Sequence, residues 1–222
     1  MALKNEKWLQ RIMGYTAGVL LGVVAFDLMP EIAQEVNSTH TSFVRPMIAL
    51  VLGFLVFHIL EKTILLNHAH ETEYGEHKHP RVGIASALAL SGHSFLDGVG
   101  IGLGFQAGNA VGIAVAIAVI AHDFTDGMNT VILMLHHKNT NKKARKMLLV
   151  DALAPVFGAA STLLFNVPDS WLVLYLGFFA GFLLYIGASD ILPQAHSKDS
   201  SRVTIGLTVL GTIFMFIVTR FA

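Results

Sequence analysis

Residues 82–106 read VGIASALALSGHSFLDGVGIGLGFQ, and residues 110–136 read AVGIAVAIAVIAHDFTDGMNTVILMLH. Each run exceeds the roughly 20 residues a helix needs to cross the hydrocarbon core of a bilayer. Neither alternates apolar and polar residues as a barrel strand would, so both are expected to be spanning helices. About midway along each lies the same pattern, His-x-x-x-Asp-Gly: His93-Ser94-Phe95-Leu96-Asp97-Gly98 and His122-Asp123-Phe124-Thr125-Asp126-Gly127. Residues four apart share a helix face, so each helix presents an imidazole beside a carboxylate. An ionisable group at that depth costs roughly 2.5–3.5 kcal/mol on insertion scales. The chain places five there: His93, Asp97, His122, Asp123 and Asp126. A divalent cation bound between them would offset the carboxylate charge and accept imidazole nitrogen.

Five further apolar stretches, roughly 12–30, 44–66, 147–166, 171–193 and 203–221, complete the pattern. The expected fold is an all-α integral membrane protein, a bundle of about seven transmembrane helices forming one domain over residues 1–222. Composition agrees, with 54% hydrophobic residues and 14% charged, against about 25% charged in soluble domains. The formal net charge is zero, so no nucleic-acid partner is expected. There are no cysteines, which leaves His, Met and carboxylates as metal ligands. The opening MALKNEKWLQR has no apolar core before a cleavage site and does not read as a secretory signal.

Basic residues set the expected orientation. Lys4, Lys7, Arg11, Lys62, Lys78, Arg81, Lys138, Lys142, Lys143, Arg145, Lys146, Lys198 and Arg202 fall on one side, and only Arg45 and Arg220 on the other. The N-terminus is therefore expected in the cytoplasm and the C-terminus outside, in the cell or plasma membrane.

An internal repeat links the first span to the sixth. Residues 17–31, AGVLLGVVAFDLMPE, return 163 positions later as AGFLLYIGASDILPQ, residues 180–194. Two spans an odd number apart cross in opposite directions, and opposed repeats are a transporter signature with the substrate site near the midplane. Spans one and two then pair with six and seven. Span five lacks a mate, whose place would precede residue 12.

Loop 67–81, NHAHETEYGEHKHPR, is expected on the cytoplasmic side. It reads either as loose metal binding or as a solvated polar loop. Ser86, Ala89, His93, Asp97, Gly100 and Gly104 form a stripe of small and polar residues on span three, and small residues let helices approach closely in lipid. A four-residue turn near 106–109 makes spans three and four antiparallel neighbours. His93 lies 12 residues beyond Arg81 and His122 lies 14 beyond Gly108, which matches their depths. Asp123 sits about 100° round the helix from His122 and stays open between a second ion, a proton and a neighbouring helix. Pro155 predicts a kink in span five. Asp151, near the cytoplasmic start of span five, reads ambiguously, and Asp27 and Asp190 either line an entrance or pack against the interface. His58 and Glu61 are expected to snorkel toward the cytoplasm, and His136 and His137 to lie at the surface.

At the two motifs the chain resembles the ZIP family of divalent metal transporters. That family carries a motif like HNxPEG or HNxxDG on its fourth helix and HNxPEG or HExPHE on its fifth; the matches here are HSFLDG and HDFTDG. GFLVFHILEK resembles the end of the family's third helix, and FDLMPE and SDILPQ resemble the ends of its second and seventh. The resemblance implies a primary metal site on His93, Asp97, His122 and Asp126. Ser94 and Asp123 match positions that belong to an adjacent second site in some members. Leu96 and Thr125 replace the motif prolines, Ser94 replaces the usual Asn, and Ala154 stands where many members have a Glu. These departures favour a single-metal site. The family usually has eight helices, and this chain is expected to begin at the second, as a truncated or shortened member.

The expectation is a divalent-cation importer, not an enzyme and without a resident cofactor. Zn²⁺ is the first candidate, with Fe²⁺, Mn²⁺, Co²⁺ and Cd²⁺ chemically compatible. Its partners are the ion and the lipid bilayer; a homodimer is compatible with the sequence. Affinity should fall as pH drops through the imidazole range, because ligands bind deprotonated. Two rival readings are a membrane-embedded metalloenzyme, with water at an open coordination position, and a metal sensor or assembly subunit that carries no flux.

Overall fold

Long apolar runs free of backbone breakers can satisfy every peptide group only by winding as helices, and the described residues contain no strand. The computed structural model describes residues 2–38, 40–73, 80–197 and 201–221. Helix α1 (Ala2–Val23) passes through a π-helical turn, Val24–Leu28, into α2 (Met29–Ser38). Then come α3 (Val44–Glu73), α4 (Pro80–Ala107), α5 (Asn109–His136) and α6 (Asn141–Ser161). Helix α7 (Asp169–Leu184) passes through a second π-helical turn, Tyr185–Ile191, into the short α8 (Leu192–Ala195), and α9 (Arg202–Phe221) ends the chain.

Among the described residues, six helical segments are long and apolar enough to cross a membrane: Lys7–Ser38, Pro80–Ala107, Asn109–His136, Asn141–Leu164, Asp169–Ala195 and Arg202–Phe221. The remaining expected span falls on α3, whose apolar stretch is Val44–Leu60. The protein is a multi-pass helical membrane protein.

Three boundaries differ from the sequence expectation. The polar start of the chain is helical from Ala2. Helix α3 continues to Glu73 instead of ending near residue 66, because NHAHETE holds no glycine or proline; residues 74–79 of the expected loop, with His77 and His79, lie outside the described residues. The link between α4 and α5 is one residue, Gly108, whose N–H donates to the Gly104 carbonyl at 3.0 Å. Pro155, where a kink is expected, lies inside α6, which continues through it.

The chain folds as two compact units. The first comprises Met1–His58, Gly104–Ala121 and Val167–Ala222. Here α1 lies directly on α9: a side chain on Gly18 would overlap the Thr208 carbonyl, and Thr212 Oγ1 donates to the Gly18 carbonyl at 3.1 Å. Leu20, Phe182, Leu183 and Tyr185 are fully buried in its core. His58, left exposed, meets the Tyr185 ring edge-on at 5.6 Å.

The two π-helical turns occupy repeat-related positions. Met29 N–H donates to the Val24 carbonyl, and Leu192 N–H to the Gly187 carbonyl. Adding 163 to the first pair gives the second. In each copy proline follows at once, Pro30 and Pro193. Proline lacks the N–H for its own helical bond and crowds the carbonyl four residues back, and the wider turn relieves both.

The second unit comprises Ile59–Leu103 and His122–Asn166. Its organising feature is a seam between α4 and α6. Side chains on Gly98, Gly102 and Gly158 would overlap the Pro155 carbonyl, the Thr162 hydroxyl and the Phe95 carbonyl. The glycine run VGIGLG is thus partly a packing surface. At one end Ala87, Met134 and Ala144 form a small apolar core. Asn139 closes that end, its Nδ2 donating to the Pro80 carbonyl at 2.9 Å. Helix α6 starts at an N-cap, Thr140, whose Oγ1 accepts from Lys143 N–H at 3.3 Å. Thr140→Ala should lower stability by about 1 kcal/mol, read as a lower melting temperature of the solubilised protein with unchanged metal affinity.

Candidate functional site

Antiparallel packing of α4 on α5 matches His93 with Asp126 and Asp97 with His122. Four atoms result, two imidazole Nε2 and two carboxylate Oδ2, all within 4.8 Å of one another. Asp97 Oδ2 lies 3.3 Å from His93 Nε2 and 3.3 Å from His122 Nε2. Asp126 Oδ2 lies 3.7 Å from His93 Nε2 and 4.0 Å from His122 Nε2. Nitrogen and oxygen alternate around the ring. For tetrahedral zinc with bonds of about 2.0–2.1 Å, neighbouring ligand atoms are about 3.3–3.4 Å apart. The Asp97 edges already have that length and the Asp126 edges are slightly open.

The ring is deep at one edge and accessible at the other. Asp97 and His122 side chains are fully buried, while His93 and Asp126 keep 19% and 14% of their surface. Asp97 Oδ1 is buried with no hydrogen-bond partner among the described residues. An unpaired carboxylate oxygen at that depth is costly unless a cation approaches it.

Asp123 stands apart from this group, its Oδ1 also buried with no hydrogen-bond partner among the described residues. The motif glycines have a structural cause beyond helix spacing. Gly98 faces the Pro155 carbonyl, and a side chain on Gly127 would come 3.0 Å from Leu148 Cδ1. Both lie against α6, each one residue after a carboxylate of the ring. Thr125, at the place of a motif proline, is buried, its hydroxyl without a hydrogen-bond partner among the described residues.

One residue that the sequence left ambiguous is drawn into the neighbourhood. Asp151 on α6 is 4% exposed. Its Oδ1 accepts from Ser94 Oγ at 3.0 Å and its Oδ2 from Thr130 Oγ1 at 3.2 Å. The available signal was a lone acid within an apolar run, one turn before Pro155. Asp27 and Asp190 lie on the π-helical turns, in the other unit; Asp27 Oδ2 has no hydrogen-bond partner among the described residues and Asp190 accepts from Gln194 Nε2. His136 and His137 meet each other edge-on at 5.3 Å.

The family model described as "ZIP Zinc transporter" matches residues 66–219. A zinc transporter ZupT of Oceanobacillus iheyensis is 28% identical over 229 residues, covering 95% of this chain and 85% of the relative. A zinc transporter ZupT of Chlorobaculum parvum is 28% identical over 228 residues, with the same coverage. The matched region contains both His-x-x-x-Asp-Gly motifs and α6, and it covers well over half the chain. The chain belongs to the ZIP zinc transporter family.

Proposed function

We propose that the protein carries divalent zinc across its membrane toward the cytoplasm, and that His93, Asp97, His122 and Asp126 hold the ion in transit. The observation that carries this reading is the alternating ring of two Nε2 and two Oδ2 atoms within 4.8 Å, on helices of a zinc-transporter family member. Two neutral imidazoles and two carboxylates cancel the charge of one divalent ion. They also replace its lost hydration with ligands of borderline softness. The ion meets His93 and Asp126 first, then Asp97 and His122, because exposure falls in that order. The excess of Lys and Arg on one set of loops supports an N-terminus on the cytoplasmic side of the cell membrane. Fe²⁺, Mn²⁺, Co²⁺ and Cd²⁺ share enough of this chemistry to compete, whereas Mg²⁺, which demands oxygen ligands in an octahedron, should not. Asp123, one position round α5, is assigned to the surroundings of this single site.

Purified protein in lipid vesicles, loaded with a zinc-sensitive dye, tests the reading. Zinc should enter well above the rate for empty vesicles, Cd²⁺ should compete, and Mg²⁺ should not. Zinc binding without entry would overturn transport and favour the sensor or enzyme readings.

A further inference from the structure

We infer that Asp151 is a positioning residue for the ion site, fixing the spacing and rotation of the two helices that carry its ligands; this rests on the ligand reading above. The argument begins with the hydrogen bonds. Asp151 offers one carboxylate oxygen to each neighbouring helix, Oδ1 to Ser94 on α4 and Oδ2 to Thr130 on α5. All three side chains are buried. Hydroxyl bonds to a charged acceptor are stronger than neutral ones, and stronger again away from water. Ser94 Oγ also lies 3.2 Å from the Leu90 carbonyl of its own helix, the usual resting place of a helical serine hydroxyl, yet the carboxylate is the closer acceptor.

The register makes this clamp relevant to the ion. Ser94 adjoins His93 and precedes Asp97 by three residues, and Thr130 follows Asp126 by four. Each anchored hydroxyl is therefore about one turn from a ring carboxylate on the same helix. The motif glycines act with it. Gly98 lets α4 meet the α6 backbone at Pro155, and Gly127 brings α5 against Leu148. One helix, α6, thus serves as a common template for α4 and α5 beside the ring, with Asp151 as the polar bolt that sets their rotation. Removing it would leave all four ligand side chains present and the distances between them loose.

Zinc and cadmium affinities of the solubilised protein test this, with His122→Ala as the reference for loss of a ligand. Asp151→Ala should weaken zinc about tenfold to hundredfold, as removal of outer supports of metal ligands does. It should weaken the larger Cd²⁺ less, because a loosened ring suits it. Asp151→Asn keeps the shape and can still bridge two hydroxyls, so zinc affinity should stay within about threefold of wild type. Ser94→Ala with Thr130→Val should reproduce Asp151→Ala, and adding Asp151→Ala to that pair should cost nothing further. The proposal is overturned if Asp151→Ala binds zinc like wild type, if Asp151→Asn is as weak as Asp151→Ala, or if zinc and cadmium fall equally. Full zinc binding by His122→Ala would instead overturn the ligand reading.

Discussion

Asp97→Ala is expected to reduce zinc uptake to the rate of empty vesicles and to weaken zinc binding by about 100-fold or more, about 2.8 kcal/mol at the standard conversion. The reason is geometric. Asp97 Oδ2 is the vertex shared by both imidazoles at 3.3 Å, whereas Asp126 Oδ2 stands farther from each. Loss of Asp97 removes half the anionic charge of the ring, all of it at the buried edge, and leaves the ion there only the His122 nitrogen. A thermal-shift measurement supplies a second readout. An ion at 100 times its dissociation constant raises the stability of the folded state by about 2.7 kcal/mol, so zinc should raise the melting temperature of wild type and leave that of Asp97→Ala unmoved. A zinc-induced shift preserved in Asp97→Ala would show that the ion binds elsewhere.

The second large effect is mechanical. Gly158→Val should destabilise the protein by about 3 kcal/mol or more, the upper end for overpacking, and abolish uptake with it. A side chain at 158 would overlap the Phe95 carbonyl and approach the Val99 nitrogen at 2.9 Å. Both are backbone atoms of α4 and cannot rotate aside, so α6 has to part from α4 along the seam. Gly92→Ala on α4 is the matched control: nothing lies within 4 Å of its would-be Cβ. There the helix should gain up to about 1 kcal/mol, the usual difference between alanine and glycine in a helix interior. Melting temperatures of the two variants should move in opposite directions. Equal and small shifts would mean that the α4–α6 seam does not bear on stability.

Much of the site could be read from the chain because its information is local. The i,i+4 spacing puts His93 beside Asp97 and His122 beside Asp126, and a tight link between two long apolar runs forces the pairs to meet. The 163-residue repeat was legible for the same reason, as a matched string ending in Asp and Pro. Asp151 was not legible, because its meaning depends on hydroxyls 57 and 21 residues away and no spacing rule connects them. The motif glycines also gave up only half their sense: small residues predict a close neighbour without naming it, and the neighbour is α6. The reach of α3 to Glu73 is not legible in composition, because polar residues mark the lipid boundary, whereas a helix ends at a cap or breaker.

The paired wide turns also decide where two acids face. A π-helical turn holds one more residue than the α-helical path it interrupts, and here it stands at one register in both repeats with a proline behind it. Deleting one residue from only one copy, Ala25 or Ala188, would rotate Asp27 or Asp190 by about 100° relative to the helix before it, so the two repeats would no longer present their carboxylates alike.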